Sequence, residues 1–567
     1  MFVRYKSIGN GKTKVQIVEN VRDGKKVRQK VLRHIITAKA GDDFEKIRAI
    51  AEYACADLQQ EKKPSLFETS ELAEMVLESR RKSQPDHRPL PVNLKNLRED
   101  HRIITGIHDV YGTLFNQVGF DQALKRYKVS RQVFKDIVMA RLAKPVSKRS
   151  SCEMLEKHFG KAIALEKVYR MLDRLNEENI KKIQDIAWQF SKTLLTPEVR
   201  IFFYDCTTLY FESFTEDELR RFGYSKDHKF NQGQVLLALL ITEEGLPVGY
   251  DVFAGNMYEG NTFSLAINKL KERYGIEKAT VVADSGLMSD NNVVLLEESG
   301  LDYILGARLK TLSAKWQNMI LDNTDYKVFI KEDKEIVPHR NKEKEVLRVH
   351  DFDYSQERRL IVSHSSLRAK KDQRDRENAV EKLHQKLAKS KNPVSLISNY
   401  GYKKYLSLEG EVSVKINEEK MQAAALWDGL HGVFTNIKQK ELDAHCVLEQ
   451  YHGLWQVEDS FRISKHDLRV RPVFHWNADR IRAHIAVCFV AFALIRFMQH
   501  YIKKNLNESF SAQRICEELV SVQESILLDC NDKNRYVIPS KISEDAKKLY
   551  GIMRLQRSQV PYQLVAK

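Results

Sequence analysis

Residues 199–211, Val-Arg-Ile-Phe-Phe-Tyr-Asp-Cys-Thr-Thr-Leu-Tyr-Phe, are apolar or aromatic on both alternating sets of positions, yet carry an acid, Asp205, at their centre. A run of this kind is a strand covered on both faces, in the middle of a sheet. An ionised carboxylate in such a strand loses its hydration, a heavy penalty unless it is paired or metal-bound. The fold must therefore sandwich a sheet between two layers and also bring a partner to Asp205.

The following sequence extends that sheet. Gln234–Thr242 and Pro247–Phe253 read as two strands joined at hairpin distance by Glu243-Glu244-Gly245. A helix over Thr262–Tyr274, a strand at Ala279–Ala283, a helix over Asp290–Ser299 and a strand at Tyr303–Ala307 complete a β-β-β-α-β-α-β series. After Lys310 the composition changes, with short strand-like runs at Val328–Ile330 and Leu360–Ser363 and a highly charged helix over Arg368–Lys389. Core-like sequence returns at Gly432-Val433-Phe434-Thr435 and leads into long helices from about 440 to 500.

A chain of 567 residues exceeds the size of one domain several times over, and it divides as follows. Residues 1–58 are expected to form a small β-rich module, with a hairpin at Asp23-Gly24 and a helix around Asp43–Leu58; residues 59–101 read as a polar linker. Residues 102–198 carry helical periodicity, and Ser150–Leu175 has the outline of a helix-turn-helix with Lys167, Arg170 and Arg174 on one face. Residues 199–310 and 431–500 form the two parts of an α/β core, residues 311–430 an insertion, and residues 501–567 a helical tail.

Composition narrows the partners. The formal charge is +16, from 93 Lys and Arg against 77 acids, which points to a polyanion. A membrane is the competing explanation, but the longest apolar run, Ile485–Leu494, stops at Arg496 and falls short of the roughly 20 residues needed to span a bilayer. No signal pattern opens the chain, and the seven cysteines are scattered without a C-x-x-C pair, so a reducing, cytoplasmic setting is expected, with neither a disulfide framework nor a structural zinc site. Phosphate-loop and nucleophile-elbow motifs are absent, which removes support for nucleotide hydrolysis and acyl transfer.

Two further acids fit the demand set by Asp205. Asp284 follows the apolar run Thr280–Ala283 and precedes Ser285-Gly286, at the carboxyl end of the fourth strand, which the topology sets beside the first. Two bare carboxylates about 4 Å apart repel by roughly 4 kcal/mol at an effective dielectric near 20, so cations are required, and an all-oxygen ligand set favours Mg²⁺ or Mn²⁺. The third acid is Glu458. At about 100° per residue, Tyr451, Trp455, Glu458, Arg462, Lys465 and Arg469 fall within roughly 80° of one line along a helix, beside an apolar stripe of Leu454, Val457, Phe461 and Leu468 that would dock on the sheet. A solvated amphipathic helix is the bland alternative. Tyr and Trp among the charges favour a nucleic-acid strand, on which rings stack while Arg and Lys hold phosphates. Asp227, Asp251 and Asp459 are the nearest competing acids, and Lys310, Arg368, Lys370, Lys371, Arg374 and Arg376 are further candidates for a DNA path.

These motifs resemble those of the bacterial insertion-sequence transposases of the DDE type, in the insertion-sequence-four superfamily and its sixteen-thirty-four subgroup. Asp205-Cys206-Thr207 is similar to the family's D-x-T setting, and Ala283-Asp284-Ser285-Gly286 to its A-D-x-G turn. Tyr451, Glu458 and Lys465 match its Tyr-Arg-Glu-Lys signature, with Leu454 standing where the family has Arg. The likeness continues through Arg471-Pro472-Val473 to Ile481-Arg482-Ala483-His484. It implies a ribonuclease-H-like core in which Asp205, Asp284 and Glu458 are catalytic and hold two Mg²⁺ or Mn²⁺ ions, with Tyr451, Trp455, Arg462, Lys465 and Arg469 on the DNA. It further implies cleavage of element ends and strand transfer into target DNA, double-stranded terminal repeats as partner, and a homodimer in the DNA complex. A structure-specific nuclease or resolvase on the same fold, and a non-cleaving DNA-binding derivative, are the rival functions.

Overall fold

The computed structural model describes residues 2–8, 12–23, 26–39, scattered positions from 44 to 55, 92–195, 201–212, 215–223, 232–274, 278–322, 325–329, 346–389, 405–409, 413–471, 473 and 475–564. The chain opens on strands β1 (Phe2–Ser7), β2 (Thr13–Asp23) and β3 (Lys26–Ala38), an antiparallel sheet in that order. β2 and β3 pair as far as Asp23 opposite Lys26, the hairpin expected there, while its Gly24-Lys25 turn lies outside the described residues. Val15 and Ala38 pack against Ile47 and Ala51 of the following helical positions. Most of the expected linker also lies outside the described residues, but its last part is a strand, β4 (Leu97–Ile104).

Five helices follow: α1 (Gly106–Val118), α2 (Lys128–Ala143), α3 (Lys148–Phe159), α4 (Leu165–Arg174) and α5 (Glu177–Leu194). Their ends follow capping chemistry. Ser147 accepts from Ser150 N at the start of α3, and Gly160 ends that helix at φ 64°, a left-handed cap glycine adopts without strain. Lys167 and Arg170 lie on the exposed face of α4, and Arg174 stacks over the Tyr127 ring.

The β-β-β-α-β-α-β series is present element for element: β5 (Ile201–Tyr210), β6 (Gln234–Thr242), β7 (Pro247–Ala254), α6 (Glu259–Glu272), β8 (Thr280–Ala283), α7 (Asp290–Glu298) and β9 (Asp302–Gly306). β5, β8 and β9 run parallel, and β6 and β7 antiparallel. The next stretch holds α8 (Ala314–Leu321), β10 (Lys327–Phe329), β11 (Leu347–Asp353), β12 (Arg359–Ser365), α9 (Ser366–Lys389), β13 (Leu406–Glu409), β14 (Ser413–Ile416) and α10 (Glu418–Ala425), and leads to β15 (Leu430–Thr435). One nine-stranded sheet results, in the order β10-β11-β12-β15-β9-β8-β5-β6-β7.

Within the segment read as an insertion, 311–430, three strands extend the core sheet. β15 buries Val433 and Phe434 and would otherwise be an open edge; β12, with Leu360, Ile361 and Val362 fully buried, covers it. Among the described residues, α9, β13, β14 and α10 share a small cluster of their own around Leu383, Tyr405 and Leu406.

The remaining helices are α11 (Ala444–His452), α12 (Trp455–Arg462), α13 (Ala478–Leu506) and α14 (Ala512–Ser521). β16 (Gln523–Asp529), β17 (Arg535–Pro539), α15 (Glu544–Ile552) and β18 (Tyr562–Leu564) end the chain. The expected helical tail is a first correction. β18, β17, β16 and β4 form a four-stranded sheet that joins the C-terminal strands to the strand before α1, around Ile103, Ile526, Val537 and Leu564. Against the expectation that its apolar run is too short, α13 is long and apolar enough to cross a membrane, but 89% of its apolar window is buried inside the fold.

Candidate active site

The register of the parallel pair sets the first two acids side by side. β5 and β8 pair from Ile201 opposite Thr280 to Tyr204 opposite Ala283, so Asp205 and Asp284 occupy the next step, on neighbouring strands about 4.8 Å apart. Alternation gives both the same face. Phe203 of β5 and Val282 of β8 belong to the core beneath α12, while Tyr204 and Ala283 belong to the opposite core, so Asp205 and Asp284 point toward the α12 side. Asp205 is half-buried, with Cys206 N donating to its Oδ1 at 2.7 Å, whereas Asp284 is exposed.

Glu458 lies on α12, which packs on β5 through Val457, Leu454 and Phe461, the apolar stripe expected to dock. Gly453 makes the approach possible: a Cβ there would stand 2.6 Å from Phe203 Cζ. The same glycine separates α11 from α12. The single helical line from Tyr451 to Arg469 is therefore a second correction. The helix is interrupted at Gly453-Leu454, widens to a π segment over Ile463–Asp467, and gives way to a left-handed Arg469 at φ 43°.

The predicted contact residues accordingly differ in setting. Tyr451 is half-buried and donates its hydroxyl to Asp284 Oδ1 at 3.3 Å; burial first, then Asp284, pushes its phenol up. Gly306, at the end of β9, admits that hydroxyl, because a Cβ would lie 2.5 Å from it. Trp455 is 54% exposed beside Glu458. Arg462 is half-exposed and bonded to Asp459 at 2.8 Å and to Asp467 at 3.3 Å. Lys465 is half-buried in the π segment, and Arg469 is exposed beyond it, its carbonyl accepting from Arg141. Of the competing acids, Asp251 pairs with Lys269 and Asp459 with Arg496 and Arg462, while Asp227 lies outside the described residues.

Three positions, Arg308, His431 and Arg496, escaped the sequence reading of the site, and Arg368 had been expected only along a DNA path. Arg308 donates to Ser285 O at 3.0 Å and Gly286 O at 3.3 Å, pinning the turn behind Asp284. His431 packs its ring 5.1 Å from that of Tyr451; burial, aided by the Arg368 charge and opposed by Asp284, presses its imidazole down to about 4. The charge of Arg368 also registers at Tyr451. Arg496, buried in α13, donates to Gln456 O at 3.1 Å and Ser460 Oγ at 2.7 Å and meets Asp459 at 3.0 Å, so it grips α12 from behind. A signal for Arg496 existed, since a cation in an otherwise apolar run demands a buried partner.

Among the described residues, the trio of ligand atoms within 4.8 Å of one another is Asp443, His445 and Cys446, not the three acids. Asp443 there is a helix cap, accepting from Cys446 N at 2.8 Å. Asp205, Asp284 and Glu458 all offer hard oxygen donors of the kind Mg²⁺ and Mn²⁺ take.

No curated protein matches the chain. Among solved structures, a piggyBac transposase in a synaptic complex with hairpin DNA is similar at 10% identity, over 80% of this chain and 75% of that one, with a TM-score of 0.36. Residues 197–494, more than half of the 567, match the family model of the transposase DDE domain, and the chain belongs to that family.

Proposed function

We propose that this transposase cleaves the ends of its own element and transfers them into target DNA, with Asp205, Asp284 and Glu458 as metal ligands on a ribonuclease-H-like core. One observation carries the reading: two acids at adjacent steps of parallel strands, on one face, under a helix that bears a third. The strand order β9-β8-β5-β6-β7, with β5 parallel to β8 and antiparallel to β6, supports the ribonuclease-H-like assignment. Asp205, Asp284 and Glu458 would hold two Mg²⁺ or Mn²⁺ ions, which when bound supply a lowered water pKa and charge stabilisation on both sides of an in-line displacement.

The chain's own groups do the positioning. Tyr451 orients the Asp284 carboxylate by donating to it, Arg308 fixes the turn behind it, and Arg496 fixes the helix of Glu458. Trp455, Arg462, Lys465 and Arg469 form the adjoining surface for the DNA strand, where rings stack and cations hold phosphates. The membership proposed within the family is the insertion-sequence-four superfamily and its sixteen-thirty-four subgroup, acting as a homodimer on double-stranded terminal repeats in the cytoplasm.

The test uses duplexes tiled across the DNA flanking the coding region, incubated with the purified chain in Mg²⁺ or Mn²⁺. Nicks at discrete ends, followed by joining to a second duplex, are expected. Cleavage without joining would support a nuclease or resolvase, and binding without cleavage a non-cleaving derivative.

A further inference from the structure

The segment between Asp284 and Glu458 brings a cation toward the acids from outside the helix that carries Glu458. β12 pairs with β15 so that Ser363 stands opposite His431, and Ser365 N donates to Gly429 O at 3.0 Å as α9 begins. Gly429, at φ 76°, lies hard against that helix: a Cβ would stand 2.8 Å from Ala369 Cβ. The first turn of α9 therefore borders the entry to β15. Two residues on, the His431 ring lies 5.1 Å from that of Tyr451, whose hydroxyl reaches Asp284. Arg368 belongs to that first turn, one residue before the Ala369 that Gly429 meets.

Two other cations of this region are committed elsewhere. Arg308 binds two backbone carbonyls, and Arg376 binds Asp428. Arg368 is half-exposed and meets Asp372 at 4.0 Å, the limit of an ion pair, while that carboxylate already accepts from Gly429 N at 3.0 Å. Such a pair holds a guanidinium weakly and leaves its fork able to turn.

We infer that Arg368 contacts the DNA phosphodiester bound at the Asp205, Asp284 and Glu458 site, donating to its non-bridging oxygens from the side opposite α12. The inference rests on the function proposed above. A guanidinium suits the task, because its planar fork matches two phosphate oxygens and its charge offsets the negative charge that spreads over them as the bond to the leaving oxygen breaks.

A chemical double-mutant cycle tests the contact. Arg368→Ala and Arg368→Lys are compared with wild type on the duplex cleaved in the tiling assay, unmodified or carrying one neutral methylphosphonate at the scissile phosphate or at either of two neighbours on each side. Arg368→Ala is expected to slow cleavage of the unmodified duplex by about 100-fold. At one of the five positions the neutral group should slow wild type by a similar factor yet leave Arg368→Ala unchanged, and Arg368→Lys should recover part of the rate. Losses that multiply at all five positions would overturn the contact, as would wild-type cleavage by Arg368→Ala. Failure of wild type to cleave any tile would instead remove the proposed function, and this inference with it.

Discussion

Arg496→Met isolates the grip of α13 on the helix of Glu458. Methionine keeps most of the buried stem and removes the guanidinium, with its bonds to Gln456 O, Ser460 Oγ and Asp459. Removing one partner of a buried ion pair ordinarily destabilises by about 3–5 kcal/mol. Here Asp459 keeps Arg462 at 2.8 Å and its side chain is 22% exposed, which places the ion-pair loss at or below the low end. With two further hydrogen bonds lost at about 1 kcal/mol each, Ser460 Oγ still donating to Gln456 O, and with such losses overlapping, the expected destabilisation is about 3 kcal/mol. A fold worth about 5–15 kcal/mol survives that.

The effect on chemistry should exceed the effect on folding. Glu458 adjoins Asp459, and a carboxylate displaced by about 1 Å is expected to slow cleavage by about 100-fold. Urea denaturation and single-turnover cleavage in Mn²⁺ measure the two effects separately. In the double variant Arg496→Met with Asp459→Asn, the second substitution should be less destabilising than it is alone, because the pair is already broken. Wild-type stability for Arg496→Met would refute the grip, and a 3 kcal/mol loss with unchanged cleavage would refute its link to Glu458.

Three other substitutions report on separate parts of the structure. Glu458→Ala should abolish nicking in Mg²⁺ and Mn²⁺ by orders of magnitude while still shifting the same duplex in Ca²⁺, so near wild-type cleavage would remove Glu458 from the ligand set. Gly306→Ala forces a methyl toward the Tyr451 hydroxyl and Ser285 N, with an expected loss of about 1–3 kcal/mol in urea; adding Tyr451→Phe should restore part of it, and an additive double variant would contradict the packing. Lys148 is buried beside Arg141, which brings its ammonium down to about 7 against about 10.4 unfolded. Between those values the unfolded chain holds the proton more tightly, so stability should rise with pH across this window and be lowest below pH 7. Lys148→Met should flatten that rise by up to about 3 kcal/mol between pH 7 and 9.5; equal pH dependence in the two proteins would dismiss the lysine as its source.

What the sequence disclosed follows from how local each signal is. The run around Asp205 announced a doubly covered strand because alternation failed on both faces at once, and β5 is buried along nearly its whole length. The turn at Ser285-Gly286 placed Asp284 at a strand end because four consecutive apolar residues can fill only a short buried strand. Pairings between distant segments left no such mark. β4 and β16 meet across more than 400 residues, and neither Leu97–Ile104 nor Gln523–Asp529 is regular enough to identify its partner. The helix face was legible through its apolar stripe, but its break was not. The close approach of Gly453 to Phe203 is a tertiary fact, and it turns one predicted line of contacts into three differently oriented pieces.

The division of the chain at residue 198 is likewise a feature of sequence and not of packing. The apolar faces of α1 to α5 enter the same core as Phe203, Val282 and Val457, so no separate interior exists for the helical unit. α13 ties the parts together with side chains as well as area. Arg480 binds Asp173 of α4 at 2.6 Å, and one turn later His484 accepts from Lys148 of α3 at 3.0 Å while donating to Val470 O, just past the π segment. Three further turns along, Arg496 holds α12. Arg141 of α2 donates to the carbonyls of Leu468 and Arg469, so the loop leaving the Glu458 helix is braced from the helical unit as well as from α13. Glu458 is thus fixed by groups contributed from residues 141 to 496, which explains why a short motif around it could indicate the acid but not the frame that holds it.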